Sequence, residues 1–178
     1  MILRLALLAT TLPLAAHAAD PQFADMSETL AGAHTYDGNW EYYVGGGVAV
    51  FYCNGDDRPD IFAAGGENPA SLWINQITAD GWDFAPADIE PITAVTGAYP
   101  LDIDSDGLLD LMVLRVGENR LLRGTGDCQF GDFDASLGFT TDDRWSTAFT
   151  ATWEGDNALP TFAIGNYVDR ADPEGPFK

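Results

Sequence analysis

Basic side chains are scarce in this chain: eight Lys and Arg stand against 28 Asp and Glu, leaving a net charge of −20. An excess of that sign repels nucleic-acid phosphate and acidic membrane surfaces and attracts divalent cations, so a nucleic-acid partner is excluded. Histidine and cysteine are as sparse, with two of each. His17 falls in the N-terminal leader described below, which leaves His34 alone. There is no G-x-S-x-G elbow, no histidine pair at ligand spacing and no paired-cysteine motif, so His34 has no catalytic or zinc-binding company. No phosphate-binding glycine motif leads from a strand into a helix. The run Gly45–Gly47 fits close strand packing instead. With so many carboxylates, some acidic pair is always near another, and spacing alone gives no glycosidase reading.

Long apolar runs are missing too, except at the start. MILRLALLATTLPLAAHAAD carries a basic Arg4, an apolar stretch from Leu5 to Leu14, and Ala16 and Ala18 around His17 as an A-x-A cleavage signal. Residues 1–18 read as a signal peptide, because the stretch is shorter than the ~20 residues a membrane span needs. Residues 19–178 are then exported to the periplasm, the cell surface or the medium, without membrane insertion. In an oxidising compartment Cys53 and Cys128 could bridge each other or partners outside the chain, and the sequence does not choose. At 46% hydrophobic and 12% aromatic the chain is rich enough to bury a core.

What the chain has is a repeat. LDIDSDGLLDLMV (101–113) lies fifty residues after FYCNGDDRPDIFA (51–63) and fifty before ATWEGDNALPTFA (151–163). The columns place Tyr52, Asp102 and Thr152 together, then Asn54, Asp104 and Glu154, then three aspartates, Asp56, Asp106 and Asp156. Asp57, Gly107 and Asn157 share the next column, and Asp60, Asp110 and Pro160 the last. A G-E-N turn and a short apolar strand follow the first two copies, at 65–75 and 116–124. Gly/Asp turns ending on phenylalanine come next, at 79–84 and 125–130.

The second copy predicts strands at 95–101, 111–116, 120–123 and 129–133. Its run LMVL suits a strand covered on both faces, and no long stretch carries a helical period. The expected class is all-β: about three four-stranded units, near 33–84, 85–133 and 134–178, forming blades of a β-propeller as an incomplete ring, since such rings typically hold four to eight blades. The terminal DRADPEGPFK reads as an interruption or linker, and open blade edges predict self-association or dependence on a partner.

The four aspartates crowded beside LMVL call for a physical reason. At ~5 Å each pair of carboxylates repels by roughly 0.8 kcal/mol even in water. Oxygens converging from alternate positions of a tight loop suit Ca²⁺, a hard cation taking six to eight oxygen ligands; Mg²⁺ demands a stricter octahedron. The expected ligands are the side chains of Asp102, Asp104, Asp106 and Asp110 and the backbone carbonyl of Leu108, with Gly107 turning the chain at positive φ. An EF-hand would need Glu at the twelfth position, where Val113 stands in a strand.

With its D-x-D-x-D-G-x-x-D loop and fifty-residue units, the chain resembles the FG-GAP/VCBS repeats of integrin-α propellers and many exported bacterial proteins. GGGVAVF, LWIN and IGNYVD are also similar to the N-terminal part of bacterial cartilage-acidic-protein-like proteins, in which a seven-bladed propeller is often followed by an ASPIC/UnbV module, so the resemblance implies a seven-bladed ring. The resemblance implies calcium loops, no enzyme activity in this segment, and an interaction or adhesion scaffold that contacts an unidentified protein or glycan. The alternatives are a carbohydrate-binding lectin-like propeller, or part of an enzyme whose active site lies on further blades.

The first loop departs from the pattern. Tyr52 replaces an aspartate, leaving a weaker site of Asn54, Asp56, Arg58 (in the Leu108 column) and Asp60. The third loop has Thr152 and Pro160 at its ends and is expected to bind little or nothing. Asp57 and Asn157, in the glycine column, tolerate left-handed backbone, so both turns are expected to persist. The five tryptophans at strand and turn positions are expected to fill gaps between units.

Overall fold

A computed structural model describes residues 20–43 and 45–168. The leader (1–18) and the terminal segment 169–178 lie outside the described residues. Those residues are all-β, with two antiparallel sheets and almost no helix. The first sheet runs in the order β1 (Val48–Phe51), β2 (Asp60–Ala63), β3 (Ser71–Asn75), β4 (Phe84–Pro86). The second is built on β6 (Asp110–Gly117), which pairs with β5 (Val95–Leu101) and β7 (Arg120–Gly126), and β7 with β8 (Gln129–Asp132). β9 (Arg144–Thr152) and β10 (Thr161–Asn166) join it through the end of β6. A single turn of helix, α1 (Asp134–Leu137), bridges β8 and β9. No helix among the described residues is long and apolar enough to cross a membrane.

The fifty-residue period reappears as a period of contacts. Gly66 bridges Val95 antiparallel, and Val116, one period on, bridges Trp145, one period on from Val95. Each acidic loop is the link of a hairpin: Phe51 faces Asp60, Leu101 faces Asp110, and Thr152 faces Thr161. The four-strand unit expected from the sequence is present at β1–β4 and β5–β8. In the third unit the described residues supply only β9 and β10.

The run LMVL is buried on both sides, as its unbroken apolarity predicts: Leu111 to Leu114 are at most 1% exposed. Because successive strand side chains point oppositely, Leu111 and Val113 pack with Phe62 and Leu72 of the first sheet. Met112 and Leu114 pack with Leu121, Phe133 and the β9/β10 aromatics Phe149 and Phe162. Burial of each such side chain stabilises by about 1.5–3 kcal/mol, so one strand ties all three repeats together.

The strands β1 and β5 approach closely because Gly47 has no side chain. A Cβ there would stand 2.8 Å from the Cα of Gly97, and the Gly47 amide donates to the Thr96 carbonyl at 2.9 Å. The Thr96 hydroxyl in turn donates to the Ser146 carbonyl at 2.7 Å. The close packing expected of the glycine run is therefore between neighbouring repeats.

Candidate metal centre

Loop 102–109 is shaped by its own carboxylates. The two oxygens of Asp102 accept the amides of Asp106 and Gly107, at 3.1 and 3.0 Å, and Asp106 accepts the Leu108 amide at 2.9 Å. Satisfying these amides from within lets the chain reverse in a few residues, with Ser105 (φ 60°) and Gly107 (φ 89°) in the left-handed region. The fold brings one oxygen each from Asp102, Asp104 and Asp106 within 4.8 Å of one another. Leu108 follows at the loop's outer edge, 39% exposed.

Asp110 stands apart from that group. It is fully buried at the start of β6, and its oxygens accept the amides of Ile103 and Gly124 at 2.8 and 2.9 Å. Burial raises its pKa above the ordinary carboxylate value; the two amide hydrogen bonds pull it down, and the charges of Asp104 and Asp106 push it up again. Asp60 repeats the arrangement in the first loop. It is fully buried and accepts the amides of Cys53 and Asn75, both at 2.9 Å. The last aspartate of the first two motifs therefore pins its loop to the neighbouring strand.

Arg123 on β7, which the sequence reading did not single out, supplies a positive charge. One guanidinium nitrogen lies 2.6 Å from an oxygen of Asp104 and 3.0 Å from one of Asp106. The group also rests over the Phe133 ring at 5.3 Å. Only its charge in a basic-poor chain could have flagged it, since its partners lie far away in sequence. The other oxygen of Asp104 is buried and has no hydrogen-bond partner. An unpartnered carboxylate oxygen beside two more carboxylates is an all-oxygen donor set of the kind a hard divalent cation satisfies. The residues present thus fit a calcium ion.

The first loop has the same backbone path and a different charge balance. Gly55 and Asp57 have φ of 70° and 60°, so Asp57 takes the left-handed conformation expected of it. Tyr52, in the Asp102 column, is 54% exposed. Asn54 accepts the Asp56 amide at 3.2 Å and donates to the Asp56 carboxylate at 3.0 Å. Arg58 enters through its side chain: the guanidinium pairs with Asp56 at 2.7 Å and donates to the Asn75 carbonyl at 3.1 Å. Burial raises the Asp56 pKa, but hydrogen bonds from Arg58 and Asn54 and the Arg58 charge outweigh it and hold the carboxyl below its ordinary value. The third loop keeps its turn, as expected, but without positive φ at Asn157. The turn uses Gly155 (φ 57°), with Asn157 donating to the Glu154 carbonyl at 3.2 Å.

The cysteine question is settled by a Cys53–Cys128 disulfide with Cα atoms 4.6 Å apart. It joins the first loop to the turn between β7 and β8, next to a hydrogen bond that the Cys128 amide donates to the Cys53 carbonyl at 3.0 Å. Asp60 lies 3.1 Å from the Cys53 sulfur. Because the sulfurs are bonded to each other, they are not metal ligands. His34 is a packing residue: Nε2 donates to the Ala64 carbonyl at 3.0 Å, Nδ1 accepts from Ser71 at 2.9 Å, and the ring sits edge-on to Trp73. Trp73 and Trp145 are buried, as interior gap-fillers should be, whereas Trp40, Trp82 and Trp153 are 53%, 59% and 45% exposed. Those three are corrected to surface residues; each sits in a turn or short helical segment rather than a paired strand.

No curated protein and no solved structure matches the chain. Among protein-family models, the FG-GAP-like repeat matches residues 53–113, a span that opens in the first acidic loop and carries the whole of the second. Taken with the paired sheets and the repeated hairpin loops, residues 53–113 are an FG-GAP-like repeat.

Proposed function

We propose that this chain is a calcium-binding β-propeller segment of an exported protein, serving as a scaffold for protein interaction or adhesion and not as an enzyme. The two sheets and β9/β10 are read as blades of a larger ring, of the seven-bladed kind the resemblance implies. The observation that carries the calcium reading is the unpartnered oxygen of Asp104 within the Asp102–Asp104–Asp106 group. A bound Ca²⁺ would supply charge neutralisation and cross-linking. Asp102, Asp104 and Asp106 would hold it, with the Leu108 carbonyl alongside. Asp110 would keep the loop in register through the Ile103 and Gly124 amides. In the first loop the Arg58 guanidinium partly neutralises Asp56, and Asp60, like Asp110, is a buried pin, so only Asn54 and Asp56 are left for a weaker site.

Calorimetry on the full chain tests the reading. Ca²⁺ binding should be strongly weakened by Asp104→Ala and barely changed by Glu154→Ala. Equal effects of the two substitutions, or no binding at millimolar Ca²⁺, would overturn it. A lectin-like role is the second reading, favoured by Trp40, which is half exposed and braced edge-on against Trp145 at 4.9 Å. Neutral-glycan binding lost on Trp40→Ala would support it.

A further inference from the structure

Between the first and second sheets lies a cavity of about 90 Å³. Its floor is apolar: Phe62 of β2, Leu111 of β6, Leu122 of β7 and Ile92 of the β4–β5 connection are all buried. Its mouth carries opposite chemistry. Asp88 and Glu90, on that same connection, are exposed and line the opening. Neither carboxylate makes a hydrogen bond or ion pair with any described residue. The one lining cation among the described residues, Arg120, is already paired, at 2.8 Å from Asp134 and 3.6 Å from Asp132, which also lines the cavity.

We infer that this interblade cavity receives a lysine side chain of a partner polypeptide, the methylene stem lying on the apolar floor and the ammonium held by Asp88 and Glu90. The inference rests on the scaffold reading and gives its partner a chemistry. An anionic ligand would meet two free carboxylates on a chain of net charge −20. A purely apolar plug would strip water from both carboxylates without replacing it. Lysine answers both demands, with an apolar stem and a compact head of three donors. Arginine carries a broad planar fork that suits bidentate carboxylate pairing better than it suits a stem laid on an apolar floor.

The test is an amide-resolved NMR titration of the full chain with a short Gly/Ser peptide carrying one central lysine. Matched peptides carry norleucine, acetyl-lysine or arginine, and n-butylamine serves as the small-molecule arm. The lysine peptide should shift amides of Leu122, Gln129 and Gly131. Norleucine and acetyl-lysine should bind at least tenfold more weakly. The double substitution Asp88→Asn/Glu90→Gln, at exposed positions that leave folding intact, should weaken lysine binding about tenfold. Asp80→Asn/Asp83→Asn, which removes the same charge from the β3–β4 turn outside the cavity, should leave it unchanged. Absence of shifts, equal binding of norleucine, equal binding of arginine, an equal loss in the Asp80/Asp83 variant, or binding of butylamine without the peptide would each overturn the assignment. Repeating the titration in Ca²⁺ and in EDTA separates this inference from the calcium reading, since calcium stabilisation without lysine binding defeats only the former, and lysine binding without calcium stabilisation only the latter.

Discussion

Asp110→Ala, measured without metal, separates a structural pin from a cation ligand. The carboxylate accepts two amides inside the protein, and truncation leaves both donors buried without partners. Each orphaned donor costs about 1–3 kcal/mol. Removing a buried charge repelled by Asp104 and Asp106 offsets part of that. The net loss should be about 3 kcal/mol, a large share of the ~5–15 kcal/mol that stabilises a typical domain. At roughly 2–4 °C per kcal/mol for a chain of this size, the melting midpoint in EDTA should fall by about 6–12 °C. Asp104→Ala under the same conditions loses only a partly exposed ion pair, worth ~0–1 kcal/mol. Arg123 keeps Asp106, so the midpoint should move by no more than about 4 °C. Circular dichroism melts of the three proteins in EDTA provide the comparison. Equal shifts for the two variants, or a larger one for Asp104→Ala, would refute the pin.

Reduction of Cys53–Cys128 releases a closure spanning 75 residues and should cost up to ~4 kcal/mol by the loop-entropy estimate; unchanged melting of Cys128→Ser would contradict its role as a staple between repeats. Gly47→Ala places a methyl against the Gly97 backbone and should destabilise by about 1–3 kcal/mol, read as a shift in the urea midpoint at constant slope. The pH dependence follows from the raised Asp110 pKa. The folded state holds this proton more tightly than the unfolded chain, so the cost of ionisation is absent below the unfolded value and appears as pH rises through the folded one. Urea titrations in EDTA from pH 3 upward should show this loss in the wild type, and in Asp110→Asn it should be gone from the curve.

The repeat, the all-β class and the strands of the second unit were legible because hydrophobic alternation and turn residues are local signals. LMVL announced a strand buried on both faces, and the second sheet's extent follows it closely. The distinct place of Asp110 was not legible from D-x-D-x-D-G-x-x-D. That pattern counts carboxylates, whereas burial depends on where β6 begins. Its position immediately before LMVL was the available clue, since the first residue of a doubly covered strand is itself covered. Arg123 and the disulfide were hidden for a different reason: both join segments far apart in the chain, and spacing carries no information about which turns meet. In the third loop Gly155 keeps the left-handed backbone that Gly55 and Ser105 have in the same column, while Asn157 leaves it, and a residue's tolerance of positive φ does not tell whether it adopts it.

The Cys53–Cys128 link also bears on how a scaffold of this kind would respond to being pulled. A load applied across the two ends of the chain passes through the sulfur–sulfur bond and skips the residues it encloses. With the cysteines 75 positions apart and about 3.4 Å of reach per extended residue, roughly 250 Å of contour is withheld from extension until a reductant cuts the tether. β2, β3 and the whole hairpin around the acidic loop at 102–109 lie inside that withheld length, whereas β1 lies before it and β8 after it, so tension alone would peel those outer strands first and leave the acidic loop intact.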